Sequence, residues 1–219
     1  MLHAMMEDIA PDATRPTGAP LNRMRAVRQF AAACHYEPDH GEHVAHLAVR
    51  IFDALAAECP DLDQQWATEV HREILRAAAL LHDVGYLINY SKHHKHSYHL
   101  VMHSDLPGFS HRDLELIANI ARYHRGAKPK SKHSNFSKLS DADQGTVRRL
   151  SAILRLAVGL DRSHMQKVRN VRLRRYKALM LVEIDAAEDP SVEMWGAERA
   201  SELFEKIFDM KLQFTWETG

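Results

Sequence analysis

Sixteen histidines are the most unusual feature of this sequence, and thirteen of them lie between His35 and His124. Histidine is the commonest metal-ligating side chain and the only one whose unperturbed pKa lies near neutrality. A local excess therefore indicates metal binding or acid–base chemistry. Because most histidines in any protein lie on the surface, the informative question is which of them face the interior.

Helical periodicity selects a few ionisable residues that fall on the apolar faces of predicted helices. Burying such a group is costly unless it is hydrogen-bonded, paired or bound to a metal. The predicted helices cover residues 39–58, a segment that ends in the apolar run 77–83, and residues 110–124 and 141–163. The inward residues that these four helices offer are His40, His82, Asp83, His124 and Asp161.

Imidazole and carboxylate groups without a thiolate suit manganese, iron, magnesium, nickel or cobalt better than a structural zinc site. Taken singly, each of these residues has an ordinary alternative: a hydrogen-bonded core histidine, or for Asp161 a buried cap or ion-pair partner. Four helices that direct such groups to one interior are typical of a metal site in a helical bundle. We therefore expect one or two divalent metal ions, and Asp83 is the carboxylate that can bridge two.

The same periodicity predicts further helices over residues 22–34 and 96–103, and one from about residue 193 to residue 208. Beyond about residue 167 the apolar residues alternate, which predicts strands near residues 171–173 and 180–184 and a last strand over residues 211–216. The expected fold is mainly α with a small C-terminal α+β appendage. Its expected parts are a flexible N-terminal segment (1–21), a helical domain (22–166) and an α+β subdomain packed on it (167–219).

Composition excludes several classes of protein. Lys+Arg and Asp+Glu number 29 each, so net charge gives no support to nucleic acid as a partner. No stretch approaches the roughly 20 apolar residues that span a bilayer, and no signal peptide is visible. Two cysteines outside any C-x-x-C pair predict a reducing, cytoplasmic location. Phosphate-binding glycine loops, the G-x-S-x-G motif and the C-x5-R motif are all missing.

The order His40, His82-Asp83 and Asp161 resembles the H…HD…D signature of the HD superfamily of metal-dependent phosphohydrolases. The resemblance implies an HD-domain helical bundle in which these residues bind metal. It further implies that His96 and His124 are the two additional histidines of the two-metal members. Helical geometry alone leaves two other histidines open in place of His96, namely His99 and His103.

Three segments resemble more closely the C-terminal domain of the exopolyphosphatase/guanosine pentaphosphatase (Ppx/GppA) family. They are LLHDVGYLINYSKHHKHSYHLVMHSDLPGFS (80–110), IARYHRGAKPK (120–130) and LSAILRLAVGLDRSH (150–164). In that family the polyphosphatase activity belongs to an N-terminal actin-like domain, and we expect this chain to stand alone without it. The helical domain is regarded there as an accessory that binds polyphosphate or helps dimerisation.

The expected function is hydrolysis of a phosphate ester or anhydride, in a nucleotide or a polyphosphate-like anion, by a metal-bound hydroxide with Asp83 as the catalytic bridging residue. Many HD enzymes carry Lys one or two residues after the glycine that corresponds to Gly85. In this sequence Tyr86 follows Gly85. Other cations must therefore meet the phosphate, and the candidates that adjoin the ligands are Arg125, Lys128 and Arg162. Basic residues in such loops often serve only to solvate them.

The alternative is a non-catalytic module that binds polyphosphate, a nucleotide or a second subunit in a homodimer, with any metal being structural. RNA binding by the basic segments is a third and weaker hypothesis, which steep salt dependence of binding would support.

Overall fold

A computed structural model of the protein describes residues 20–62 and 66–216. The helical part contains α1 (Pro20–Ala33), α2 (Pro38–Glu58), α3 (Glu69–Leu81), a 3₁₀ turn (Val84–Leu87), α4 (His93–Met102), α5 (His111–Arg122), the short α6 (Ser134–Ser137) and α7 (Asp141–Gly159). The C-terminal part contains β1 (Val168–Tyr176), β2 (Leu179–Ala186), α8 (Ser191–Phe208) and β3 (Lys211–Trp216). The predicted mainly α fold with a small α+β appendage is confirmed.

The core of the helical part is built on α3. Its last turn, residues 77–81, is an uninterrupted run of alanine and leucine that is buried throughout. Helix α2 packs against α3 and α7, and α5 also packs against both of them. The chain that leaves α3 therefore emerges inside the bundle, which is where His82 and Asp83 follow.

Side-chain caps define where several helices begin. Thr68 accepts a hydrogen bond from the backbone of His71 at the start of α3, and Ser140 accepts one from the backbone of Asp143 at the start of α7. Ser110 and Asp113 cap α5 reciprocally. Such caps satisfy amide groups that have no partner within the helix, so these starts are visible in the sequence.

The start of α4 and the end of α7 differ from the sequence prediction, and both differences affect the site. Helix α4 begins at His93, three residues before its predicted start. Helix α7 ends at Gly159, so Asp161 lies in the turn that follows and not on the helix. The basic segment over residues 128–140, which lies between two predicted helices, contains the short helix α6.

The C-terminal part forms a three-stranded sheet in the order β1-β2-β3. Strands β1 and β2 are an antiparallel hairpin, and α8 crosses over to bring β3 parallel to β2. Helix α8 packs tightly on α7 at Gly159. A Cβ atom on this residue would lie only 2.7 Å from the Cα atom of Ala197. The approach is equally close at Gly196, where a Cβ atom would lie 2.5 Å from the carbonyl oxygen of Gly159.

Residues 1–19 of the predicted flexible segment lie outside the described residues, and residues 20 and 21 belong to α1. Among the helices that the structure describes, none combines the length and the apolar character needed to cross a membrane.

Candidate metal centre

The carboxylate of Asp83 is surrounded by four imidazoles that present their Nε2 atoms to it. Oδ2 lies 3.8 Å from His40 Nε2 and 3.3 Å from His82 Nε2. Oδ1 lies 3.0 Å from His93 Nε2 and 3.5 Å from His124 Nε2. The four histidines are buried, and each carboxylate oxygen thus faces one pair of them.

The opposite ring nitrogen of each histidine, Nδ1, donates a hydrogen bond to a fixed acceptor. His40 donates to Asp161 Oδ2 at 2.7 Å. The other three donate to backbone carbonyls: His82 to Ala79 at 2.6 Å, His93 to Tyr90 at 3.2 Å and His124 to Ala121 at 2.7 Å. Such a bond selects the tautomer whose Nε2 lone pair is available for a metal.

Among the described residues, three atoms at the centre of this cluster are buried and have no hydrogen-bond partner: His40 Nε2, His82 Nε2 and Asp83 Oδ1. Unsatisfied buried acceptors are costly, and a cation would satisfy them together. The donor atoms form two groups, each within 4.8 Å, one of His40, His82 and Asp83 and the other of Asp83, His93 and His124. Nitrogen and carboxylate donors in this arrangement fit one or two divalent ions.

The electrostatics of the cluster couple protonation to cation binding. Burial lowers the pKa of His40, and burial lowers that of His124 well below its ordinary value. Burial also opposes charge on His82 and Asp83, but their mutual attraction prevails, raising the pKa of His82 and holding that of Asp83 well below its usual range. His40 and His124 are thus favoured as neutral ligands, and a metal that binds His82 would displace the proton from its imidazole.

Helix α4 is held over the His82-Asp83 turn by Ser97. The hydroxyl of Ser97 donates to the carbonyl of His82 at 2.7 Å and accepts from the backbone NH of Gly85 at 3.0 Å. A Cβ atom on Gly85 would lie 2.1 Å from the carbonyl oxygen of His93, so only glycine allows this approach. The first turn of α4 therefore lies beside Asp83.

The structure places His93, and not the predicted His96, in the cluster. The buried residues of α4 are His93, Ser97 and Val101, whereas His96 is half-buried outside both donor groups. The i, i+4, i+8 spacing of that buried stripe is a signal in the sequence, but it is visible only if the helix starts at His93. The alternatives His99 and His103 are exposed, with the Nδ1 of His103 donating to the carbonyl of His99.

Asp161, predicted as a metal ligand, is fully buried at the centre but lies outside both donor groups. Besides its bond to His40, its second oxygen accepts a hydrogen bond of 2.9 Å from the backbone NH of Gln166. In this arrangement Asp161 holds the ring of His40 in place.

His164, which is not among the residues predicted to face the interior, packs against the cluster. Its ring is parallel to that of His40, with centroids 3.6 Å apart and planes 2° apart. Its Nδ1 lies 2.9 Å from the Glu37 carboxylate, to which it donates. The left-handed backbone at His164, where φ is 59°, turns the ring inward, and no spacing rule predicts such a turn.

A cavity of about 380 Å³ opens over the cluster, where His40, Asp83 and His124 line its floor. The predicted phosphate-binding residues Arg125 and Arg162 line its walls. Lys128 does not, because its ammonium group contacts the carboxylate of Glu202. Three lining residues that sequence reasoning missed come from α7 and α8, namely Arg155, Trp195 and Arg199.

Fold and site together define a mainly helical domain with a buried histidine–aspartate cluster beneath a basic cavity. Residues 22–188 match the family described as Ppx/GppA phosphatase, domain III. The chain belongs to this family, as the resemblance of its HD-containing segments predicted.

Relatives in the genera Vibrio and Pseudoalteromonas are similar to part of this chain. A guanosine-5'-triphosphate,3'-diphosphate pyrophosphatase of Vibrio cholerae is 33% identical over 172 residues, which is 76% of this chain and 30% of that protein. The protein of the same name in Pseudoalteromonas translucida is 29% identical over 138 residues, 62% of this chain and 26% of its own. The chain thus spans less than a third of the length of these relatives.

Proposed function

We propose that the protein is an HD-type, metal-dependent phosphohydrolase that acts on a phosphate ester or anhydride of a nucleotide or a polyphosphate-like anion. The observation that carries the proposal is the convergence of four imidazole Nε2 atoms on the two oxygens of Asp83 beneath a basic cavity. The pyrophosphatase name of the relatives supports a phosphate anhydride as the bond that is cleaved.

The donor groups would hold one ion through His40, His82 and Asp83 and a second through Asp83, His93 and His124, with Asp83 shared. When bound, a divalent ion lowers the pKa of water toward about 7 and neutralises phosphate charge. Manganese, iron, magnesium, nickel and cobalt are the candidates that this donor set suits.

The residues around the donors prepare the site for this chemistry. Asp161 and the three backbone carbonyls hold the imidazoles in one orientation. Fixed imidazoles need little rearrangement during the reaction. The guanidinium groups of Arg125 and Arg162 can each bind a phosphate through two parallel hydrogen bonds. They would place the phosphorus atom over the Asp83 cluster and offset negative charge as it builds up.

Elemental analysis of protein purified without chelator, together with hydrolysis assays, tests the proposal. We expect bound metal and hydrolysis of at least one nucleotide or polyphosphate in the presence of Mn²⁺, Mg²⁺, Co²⁺ or Ni²⁺. Asp83→Ala should lose both properties, whereas Asp105→Ala, an exposed loop residue, should keep them. Absence of metal and of activity in the wild-type protein would instead favour the non-catalytic binding or dimerisation module.

A further inference from the structure

The turn that carries His124 follows the end of α5. The helix ends at Arg122, and Gly126 adopts the left-handed backbone, with a φ of 65°, that lets the chain change direction. Carbonyl groups at the end of a helix have no partner inside the helix. Groups from elsewhere in the molecule must therefore bond to them if the turn is to hold His124 in one place.

Arg155 on α7 supplies these bonds. Its Nη1 donates to the carbonyl of Tyr123 at 3.0 Å, and its Nη2 donates to the carbonyl of Gly126 at 3.2 Å. The two carbonyls lie on either side of His124 in the chain, so one guanidinium bridges the turn. Because the guanidinium is planar and its donors form a rigid fork, the directions of both bonds are set together. The turn is thus tied to α7 through a single side chain.

The surroundings of Arg155 make these two bonds its principal interactions. The residue is half-buried, and burial lowers the pKa of Arg155, with a smaller opposing effect from the Glu202 carboxylate. No ion pair joins Arg155 to a carboxylate within residues 20–62 and 66–216. Hydrogen bonds from a charged donor are about twice as strong as those between neutral groups. The partly desolvated guanidinium therefore depends on the two carbonyls, and they depend on it.

A second contact joins the same stretch of chain to α8, but it is weaker. The ammonium group of Lys128 contacts the carboxylate of Glu202. The side chain of Glu202 is 80% exposed, so solvent screens this ion pair and it contributes little. Arg155 is thus the stronger of the two links between the turn and the α7–α8 pair.

The position of this turn decides where the His124 imidazole lies. Its Nε2 is 3.5 Å from Asp83 Oδ1, and its Nδ1 donates to the carbonyl of Ala121 at 2.7 Å. The bond to Ala121 fixes the rotation of the ring, whereas the backbone of the turn fixes its distance from Asp83. Metal–ligand distances tolerate only about 0.2 Å of variation, so a small displacement of the turn would weaken coordination.

We propose that Arg155 is a positioning residue for the ion that Asp83, His93 and His124 would hold. It clamps residues 123–126 so that His124 reaches the ion, and it does not touch the ion itself. The inference rests on the proposed function for the presence of that ion. The clamp, in contrast, belongs to the metal-free protein and can be tested there.

Hydrogen–deuterium exchange of the metal-free, full-length protein tests the clamp. In Arg155→Met, the peptide that contains residues 120–127 should exchange at least about tenfold faster than in the wild type, because two charged hydrogen bonds are lost. The matched control is Arg148→Met. Arg148 is another half-buried arginine of α7, but its guanidinium lies over the ring of Phe136, 4.7 Å from the centroid. The control should exchange as the wild type does, and unchanged exchange in Arg155→Met would overturn the clamp.

Calorimetric titration with Co²⁺ tests the positioning role. Arg155→Met should bind one ion about 10–100-fold more weakly than the wild type, as expected when a residue that orients a ligand is removed. Arg155→Lys keeps the charge but cannot bond both carbonyls in the same geometry, so it should remain at least about fivefold weaker.

Unchanged Co²⁺ binding in Arg155→Met, or full recovery in Arg155→Lys, would overturn the positioning role. Full recovery would assign the effect to positive charge in the cavity rather than to the two bonds. If the wild-type protein binds no Co²⁺, the proposed function fails, and the exchange experiment alone decides on the clamp.

Discussion

The carboxylate of Asp161 accepts a hydrogen bond of 2.7 Å from His40 Nδ1, across 121 positions of the chain. It joins the turn after α7 to the first turn of α2. Because Nδ1 is engaged, Nε2 of the same ring faces Asp83 Oδ2 at 3.8 Å. The orientation of one candidate ligand thus depends on a residue that belongs to neither donor group.

Asp161→Asn should weaken metal binding by about 10–100-fold, because an amide is a poorer acceptor for His40 Nδ1 and no longer supports its basicity. Competition with a chelator of known affinity measures the change. The exposed residue Asp141 provides the control, and Asp141→Asn should bind metal as the wild type does. Unchanged affinity in Asp161→Asn would show that the bond does not organise the site.

His93→Ala and His96→Ala distinguish the structure from the sequence assignment. The first should lose about one bound ion per chain, because Nε2 of His93 lies 3.0 Å from Asp83 Oδ1. The second should keep its full metal content, because His96 lies outside both donor groups. Metal per chain, determined by elemental analysis of both variants, decides between them, and the opposite pattern would support the assignment from family resemblance.

Gly159→Ala should lower the free energy of unfolding by about 1–3 kcal/mol, because the new methyl group would lie 2.7 Å from the backbone of α8. The control is Gly145→Ala in the same helix, where the nearest atom would be the Arg149 guanidinium at 3.5 Å. Gly145→Ala should stabilise the protein by about 0.5–1 kcal/mol. Urea unfolding measures both, and equal effects would argue against the tight contact between α7 and α8.

Asp143→Asn should show a pH-dependent loss of stability. Burial raises the pKa of Asp143, but hydrogen bonds from Arg112 and Ser140 outweigh it and leave the pKa below its ordinary value of 3.8. A carboxyl whose pKa is lowered by folding stabilises the protein above its unfolded pKa, and this contribution disappears as the pH falls through the lower, folded value.

The expected difference between wild type and Asp143→Asn is about 1 kcal/mol at neutral pH, since Arg112 is largely exposed to solvent. It should shrink progressively below about pH 4. Urea unfolding over a series of pH values measures it. A difference that stays constant down to pH 3 would assign the effect to packing rather than to the charge.

The sequence by itself determined most of the local structure. Thr68, Ser110 and Ser140 mark helix starts because a side-chain oxygen there satisfies an otherwise unpaired amide group. The apolar run that ends α3 requires His82 to be buried, and helical spacing alone turns His40 inward. These inferences hold because they depend on neighbours within a few residues along the chain.

Only the tertiary structure decided how the helices meet. Periodicity indicates which side of a helix a residue occupies. It indicates neither the residue at which the helix begins nor which side chain of another element lies opposite. His93 rather than His96 reaches Asp83 because Ser97 and Gly85 fix the position of α4. Likewise, Arg199 borders the cavity because Gly159 allows α8 to approach α7 closely, a contact between residues far apart in the chain.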